Sequence, residues 1–239
     1  MTSGEPNGHR LVLFDIDGTL LSAGRAARES VLAAMEAVYG WRADPDAPRE
    51  GRYDFSGKTD PQIVRELVGE HVGAERREAD LPRALTRYLE ELRRRLTPEA
   101  VVPKPGIAEL LRRLAAQPRV TLALLTGNLE AGARLKLEPP GFNAYFPFGA
   151  FGSDSADRYA LPPVAVARAR AHCGREFTGK SVVIVGDSVH DVACGRSLGV
   201  RSVAVATGPT PAERLAAERP DALFADFSDV DAGVEAILG

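Results

Sequence analysis

The chain has 239 residues, 44% of them apolar and 26% charged, which is enough to bury an α/β core and a smaller second module. Its 30 basic and 33 acidic residues leave a net charge of −3 and are scattered along the chain, so no nucleic-acid stripe or membrane-binding face is expected. No apolar run approaches the length that crosses a bilayer and residues 1–10 carry no signal-peptide stretch, so a cytoplasmic location is expected, with a small molecule as the partner.

Taken in order, Leu11 to Phe14, Val120 to Leu125, Val182 to Val185 and Ser202 to Ala206 are short apolar runs rich in β-branched residues, each followed by Asp, Thr or Gly. They read as buried parallel strands. Between the first and second lies a long stretch without strand patterns. Helical periodicity predicts helices over Ala26 to Tyr39, over Pro61 to Val72 with Asp60 as N-cap, and over Leu81 to Leu96. Pro98, Pro103 and Pro105 then break the helical run. Later, Ile107, Leu110, Leu111 and Leu114 share one helical face, and a further helix is expected from Pro162 to His172. The fold class is therefore α/β, a doubly wound parallel sheet with an inserted α-helical module. The expected organisation is a core of residues 1–21 and 101–239 and a helical module of residues 22–100. Cys173 and Cys194 match no zinc spacing, and neither a disulfide framework nor a structural metal is expected.

Ligands of an open parallel sheet bind beyond the carboxyl ends of its strands. Those ends carry Asp15-Ile16-Asp17-Gly18-Thr19, Thr126-Gly127-Asn128, and Gly186-Asp187-Ser188 with Asp191 one turn on. Asp15, Asp17, Asp187 and Asp191 in one cleft would repel one another without a cation, and oxygen ligands around a small site favour Mg²⁺. One carboxylate can then attack phosphorus, and a second, two residues away, can protonate the leaving oxygen and later activate water. Gly18 permits a sharp turn, and Thr126, with Gly127 and Asn128, can offer a hydroxyl and backbone N–H groups to phosphate oxygens. Each piece alone reads as a turn or a helix cap; their joint placement at three strand ends favours chemistry.

These segments resemble the motifs of the haloacid dehalogenase superfamily: Leu11-Val12-Leu13-Phe14-Asp15-Ile16-Asp17-Gly18-Thr19-Leu20 the first, Leu124-Leu125-Thr126-Gly127-Asn128 the second, and Val183 to Asp191 the fourth. The resemblance implies a Rossmann-like core with Asp15 as nucleophile, Asp17 as acid and base, and Thr126 as phosphate ligand. It implies Mg²⁺ held by Asp15, the backbone carbonyl of Asp17, Asp187 and Asp191, and a helical cap over residues 22–100.

The third motif, normally a Lys, is the departure. The four lysines are Lys58, Lys104, Lys136 and Lys180. Lys136 follows the second motif too soon, and Lys180 precedes a strand at the wrong end. Arg158 is the expected replacement, at the usual distance before Asp187. Within Ser56-Gly57-Lys58-Thr59-Asp60, Lys58 could point into the cleft and meet an anionic leaving group, with Arg49 and Arg52 as weaker candidates. Trp41 is expected to pack within the helical module, and His190 to be an exposed first-turn residue.

The expected function is a Mg²⁺-dependent phosphatase that hydrolyses a small phosphomonoester through a phospho-Asp15 intermediate, resembling phosphoglycolate phosphatase. Asp17 argues against a dehalogenase, whose chemistry needs no protonated leaving oxygen. A sugar-phosphate mutase of the β-phosphoglucomutase kind and a non-catalytic phospholigand-binding protein are the alternatives. Oligomeric state is not readable from the residues.

Overall fold

A computed structural model describes residues 8–42 and 54–239. Six strands form one parallel sheet: β1 (Arg10–Phe14), β4 (Val120–Leu125), β5 (Gly149–Ala150), β6 (Val182–Gly186), β7 (Arg201–Val205) and β8 (Ala222–Phe224), in the order β5-β4-β1-β6-β7-β8. The order reverses at β1, with β4 on one side and β6 on the other, which opens a crevice beyond its carboxyl end. Register carries the motifs to that edge: Phe14 pairs with Leu124 and with Val185, so Asp15, Thr126 and Asp187 all lie just past the paired segment.

Successive strand residues face opposite sides of the sheet. Val12, Phe14, Leu122, Leu124, Val183 and Val185 share one cluster with Ile107, Leu110 and Leu114 of α4 (Ile107–Ala115) and Ile237 of α9 (Val230–Leu238). Leu11, Leu13, Ala123, Leu125 and Ile184 share the other with Leu161, Ala165 and Ala169 of α6 (Leu161–Cys173). Each fully buried leucine in these layers stabilises the core by roughly 1.5–3 kcal/mol before its entropy cost. Shorter helices complete the layers: α5 (Glu130–Leu137), α7 (Val189–Cys194) and α8 (Ala212–Ala217).

The helical module leaves and rejoins the core through two antiparallel two-residue strands, β2 (Leu21–Ser22) and β3 (Val102–Pro103). Between them stand α1 (Ala26–Tyr39), α2 (Asp60–Val68) and α3 (Ala74–Arg95). They bury their own cluster, including Val31, Met35, Ile63, Leu67, Tyr88 and Leu92, with Trp41 packed against it. Leu129, from the core, is buried in the same cluster.

Two expectations need correction. Asp60 is not the N-cap of α2; Thr59 is, its hydroxyl accepting from Gln62 N, because Thr59 has the extended backbone a cap needs while Asp60 is already helical. The third helix begins at Ala74 rather than Leu81, running through Pro82. Arg49 and Arg52 lie outside the described residues.

Candidate active site

Asp15 directly follows β1 and is buried, its Oδ1 accepting from Arg158 Nη2 at 3.1 Å. Burial pushes its carboxyl up to about 7, with Arg158 opposing and Asp191 and Asp17 adding to the rise. Asp187, past the end of β6, is also buried and accepts from Thr19 Oγ1 at 2.9 Å. Burial first, then Asp15 and Asp191, hold it well above the carboxylate range.

Asp191 sits in the first turn of α7, where a capping box fixes its rotamer: Asp191 Oδ2 accepts from Ser188 N at 2.9 Å and from Ser188 Oγ at 2.6 Å. Its Oδ1 accepts from Arg158 Nη2. Arg158 lies in a 3₁₀ turn (Arg158–Ala160) ahead of α6, 3% exposed, and bridges Asp15 and Asp191. Burial works against its charge, but Asp191 and then Asp15 outweigh it and hold the guanidinium above its ordinary value.

One oxygen from each of Asp15, Asp187 and Asp191 falls within 4.8 Å of the others, all three buried. One guanidinium cannot neutralise three buried carboxylates, and the donors are all oxygen, so the set fits a hard divalent cation such as Mg²⁺. Glycines leave room for the Asp187 carboxylate. Gly18, at φ +92°, would place a Cβ 2.4 Å from Asp187 Oδ2, and Gly208 would place one 1.6 Å from the same atom.

The side chain of Asp17 stands apart from this trio, 43% exposed. Its Oδ2 accepts from Lys136 Nζ at 2.6 Å and from Asn128 Nδ2 at 2.8 Å. Asn128 Nδ2 also donates to Thr126 Oγ1 at 2.9 Å, and Asn128 Oδ1 accepts from Lys136 Nζ at 2.6 Å. Lys136 follows the second motif too soon for the third-motif cation, and Arg158 is the cation at Asp15, yet Lys136 reaches the site: buried at 2% exposure, its side chain leans back along α5 to Asp17 and Asn128. Lys180 lies away from these groups, paired with Asp221 at 2.6 Å.

A cavity of about 360 Å³ opens over Asp15, Asp17, Gly18, Thr126, Arg158 and Asp187. Its far wall comes from the helical module, with Ala27, Val31, Phe55, Ile63 and Tyr88. Lys58 lines it too, but its ammonium is held by Glu66 Oε2 at 2.5 Å. His190 is partly buried and meets the Tyr159 hydroxyl at 3.1 Å. The module is pinned to the core at two points: Asp60 N donates to Gly127 O of the second motif at 2.8 Å, and Thr59 Oγ1 donates to Ala156 O at 2.7 Å. A Cβ on Gly127 would fall 2.0 Å from Lys58 O, so the close approach requires glycine.

Sequence reasoning missed Lys136, Asp60, Tyr88 and the loop after β7, where Thr207 Oγ1 donates to Gly18 O at 2.5 Å and Lys104 Nζ to Thr207 O at 2.6 Å. For that loop the signal was present, since Thr207-Gly208 follows an apolar run as the other motifs do.

Among known proteins, the chain is similar to the probable phosphatase IndB of Dickeya dadantii, 25% identical over 229 residues that cover 95% of this chain and 94% of that one. It is 29% identical to a phosphoglycolate phosphatase of Agrobacterium fabrum, over 91% of this chain and 89% of that one. In structure it resembles CbbY of Rhodobacter sphaeroides, solved in complex with phosphate, with a TM-score of 0.70 at 19% identity, over 95% of this chain and 99% of that one. No helix among the described residues is long and apolar enough to cross a membrane. The haloacid dehalogenase-like hydrolase family model matches residues 9–199, and the chain belongs to that family.

Proposed function

We propose that this hydrolase is a Mg²⁺-dependent phosphatase that releases phosphate from a small phosphomonoester by way of a phosphoryl group on Asp15. The carrying observation is the buried trio of Asp15, Asp187 and Asp191 at one sheet edge, with a single guanidinium between two of its members. The names of the relatives from Dickeya dadantii and Agrobacterium fabrum support a phosphatase, and the second supports phosphoglycolate as a substrate to try first.

In this reading Asp15 attacks phosphorus in line with the leaving oxygen, its carboxylate held in place by Arg158. Thr126, with backbone N–H groups of Gly127 and Asn128, receives the transferring oxygens, and Arg158 offsets their charge. Asp17 protonates the leaving oxygen and then takes a proton from the attacking water. Asp15, the Asp17 carbonyl, Asp187 and Asp191 would hold Mg²⁺, which when bound offsets the charge of the phosphoryl oxygens and the carboxylates. The helices α1–α3 act as a cap that excludes bulk water, and Lys58 contributes to its inner wall rather than a free charge.

Phosphate release from a panel of metabolite esters, with and without Mg²⁺, tests the reading. Wild-type protein is expected to release phosphate and Asp15→Asn to release none; activity retained by that variant would sink the mechanism. Release without a bisphosphate activator separates hydrolysis from a mutase reaction.

A further inference from the structure

Lys136 has no role in the reaction as outlined, yet its ammonium is buried and its hydrogen bonds go to Asp17 Oδ2 and Asn128 Oδ1, each at 2.6 Å. A buried ammonium is costly unless paired, and an ordinary structural lysine would pair with a buried carboxylate. Buried Asp60 is near enough to feel the charge but accepts from Leu129 N, and the carboxylate that Lys136 bonds is the 43% exposed side chain that faces the cavity. Asn128 Nδ2 adds a second donor to the same oxygen at 2.8 Å, and Asn128 is itself anchored to Thr126 Oγ1 at 2.9 Å. Two donors therefore converge on Oδ2, while Oδ1 accepts no hydrogen bond among the described residues. Without them a half-exposed aspartate would sample several rotamers.

We propose that Lys136 is a positioning residue for Asp17: with Asn128 it ties down Oδ2 and reserves Oδ1 as the oxygen that gives and takes the proton. The proposal rests on the phosphatase reading, in which Asp17 is the acid and base. An oxygen that faces two N–H donors has no room for a proton of its own, which leaves Oδ1 as the oxygen that exchanges a proton with the leaving group and the water. As the bond from phosphorus to the leaving oxygen breaks, that proton passes from Oδ1 to the leaving oxygen. Then the water oxygen bonds to phosphorus, the bond from phosphorus to Asp15 breaks with its electron pair returning to the Asp15 carboxylate, and one water proton moves to Oδ1. Both transfers need the same oxygen at the same place, and this is what the clamp supplies.

The test uses the full chain with Mg²⁺ on two esters: an alkyl phosphate that the wild type turns over, whose leaving oxygen needs a proton, and 4-nitrophenyl phosphate, whose phenolate leaves without one. Lys136→Met is expected to lower kcat on the alkyl ester about a hundredfold, with KM changed by less than about twofold. On the nitrophenyl ester it is expected to give a burst of one nitrophenolate per active site followed by slow turnover, because the water step alone is impaired. Lys136→Arg, which keeps the donors, should recover part of the rate. If Lys136→Met does not fold, Lys136→Gln, which keeps one donor, is read by the same comparison. Equal losses on both esters without a burst would overturn the proposal, as would a raised KM at unchanged kcat, which would give Lys136 to substrate binding. A wild type that turns over no alkyl phosphate of the panel and no 4-nitrophenyl phosphate removes the phosphatase reading and this proposal together. A wild type that is active, with Asp15→Asn silent and Lys136→Met normal, removes this proposal alone.

Discussion

The carboxylate of Asp60, the first residue of α2, accepts a hydrogen bond from the backbone N–H of Leu129 in the core at 2.8 Å. Burial raises its carboxyl to about 6, with Lys136 and the Leu129 N–H pulling it back. The folded protein therefore keeps this proton between about pH 4 and pH 6, where the unfolded chain has released it. Its contribution to stability is full below about pH 4 and is lost as pH rises through 6, by on the order of 3 kcal/mol. Asp60→Asn keeps an acceptor for Leu129 N but cannot ionise. Urea unfolding of the two proteins from pH 4 to pH 7 in chelator should show a stability difference that moves in favour of the variant as pH rises. Parallel curves would mean that Asp60 does not titrate there.

Gly18 and Asp187 are packed so closely that a methyl group on Gly18 would lie 2.4 Å from Asp187 Oδ2. Gly18→Ala meets this clash and a left-handed backbone at φ +92°, whose strain is on the order of 1–3 kcal/mol. The Asp187 carboxylate should be displaced more than the fold is lost. Expected are a melting temperature lowered by several degrees and a Mg²⁺ requirement raised at least about tenfold, read from activity against Mg²⁺ concentration. An unchanged Mg²⁺ curve would show that Asp187 does not serve the metal.

Arg158 donates to both Asp15 and Asp191. Arg158→Ala leaves these buried carboxylates without their guanidinium and is expected to lower kcat by roughly 10²–10³, the loss typical of a preorganised charge-stabilising group. Arg158→Lys can reach one carboxylate but cannot fork its donors, and should fall between. Turnover of Arg158→Ala near the wild-type rate would move the role to another cation.

Much of this site follows from residue order because parallel pairing is itself regular. Once Leu11 to Phe14, Val120 to Leu125 and Val182 to Val185 are strands of one sheet, Asp15, Thr126 and Asp187 share an edge with no further information. Lys136 could not be read so. Six residues of helix carry it about 9 Å from Glu130, and whether its side chain meets Asp17 depends on the tilt of α5, which packs against α3. Tyr88 and Asp60 were hidden for a related reason, since periodicity shows that α2 and α3 have buried faces but not that the start of α2 meets the second motif or that Tyr88 lines the cavity. β5 and β8, two and three residues long, are too short to carry a pattern.

If this hydrolase is a phosphatase, the wall opposite Asp15 should set the size of the leaving group. Ala27 of α1 lines the cavity beside Val31 and Ile63, and the space of about 360 Å³ exceeds what a two-carbon ester fills. The apolar face should favour esters with a larger, partly apolar leaving group by the extra area they bury, at about 25 cal/mol per Å². Ala27→Phe projects a ring into that space without touching the carboxylates. It is expected to raise KM for the larger esters at least about tenfold while phosphoglycolate turnover stays within about twofold, so that the ratio of kcat/KM between the two classes shifts toward the small ester. Equal effects on both would mean that substrates of every size pass the same constriction at Ala27, and that the wall discriminates nothing.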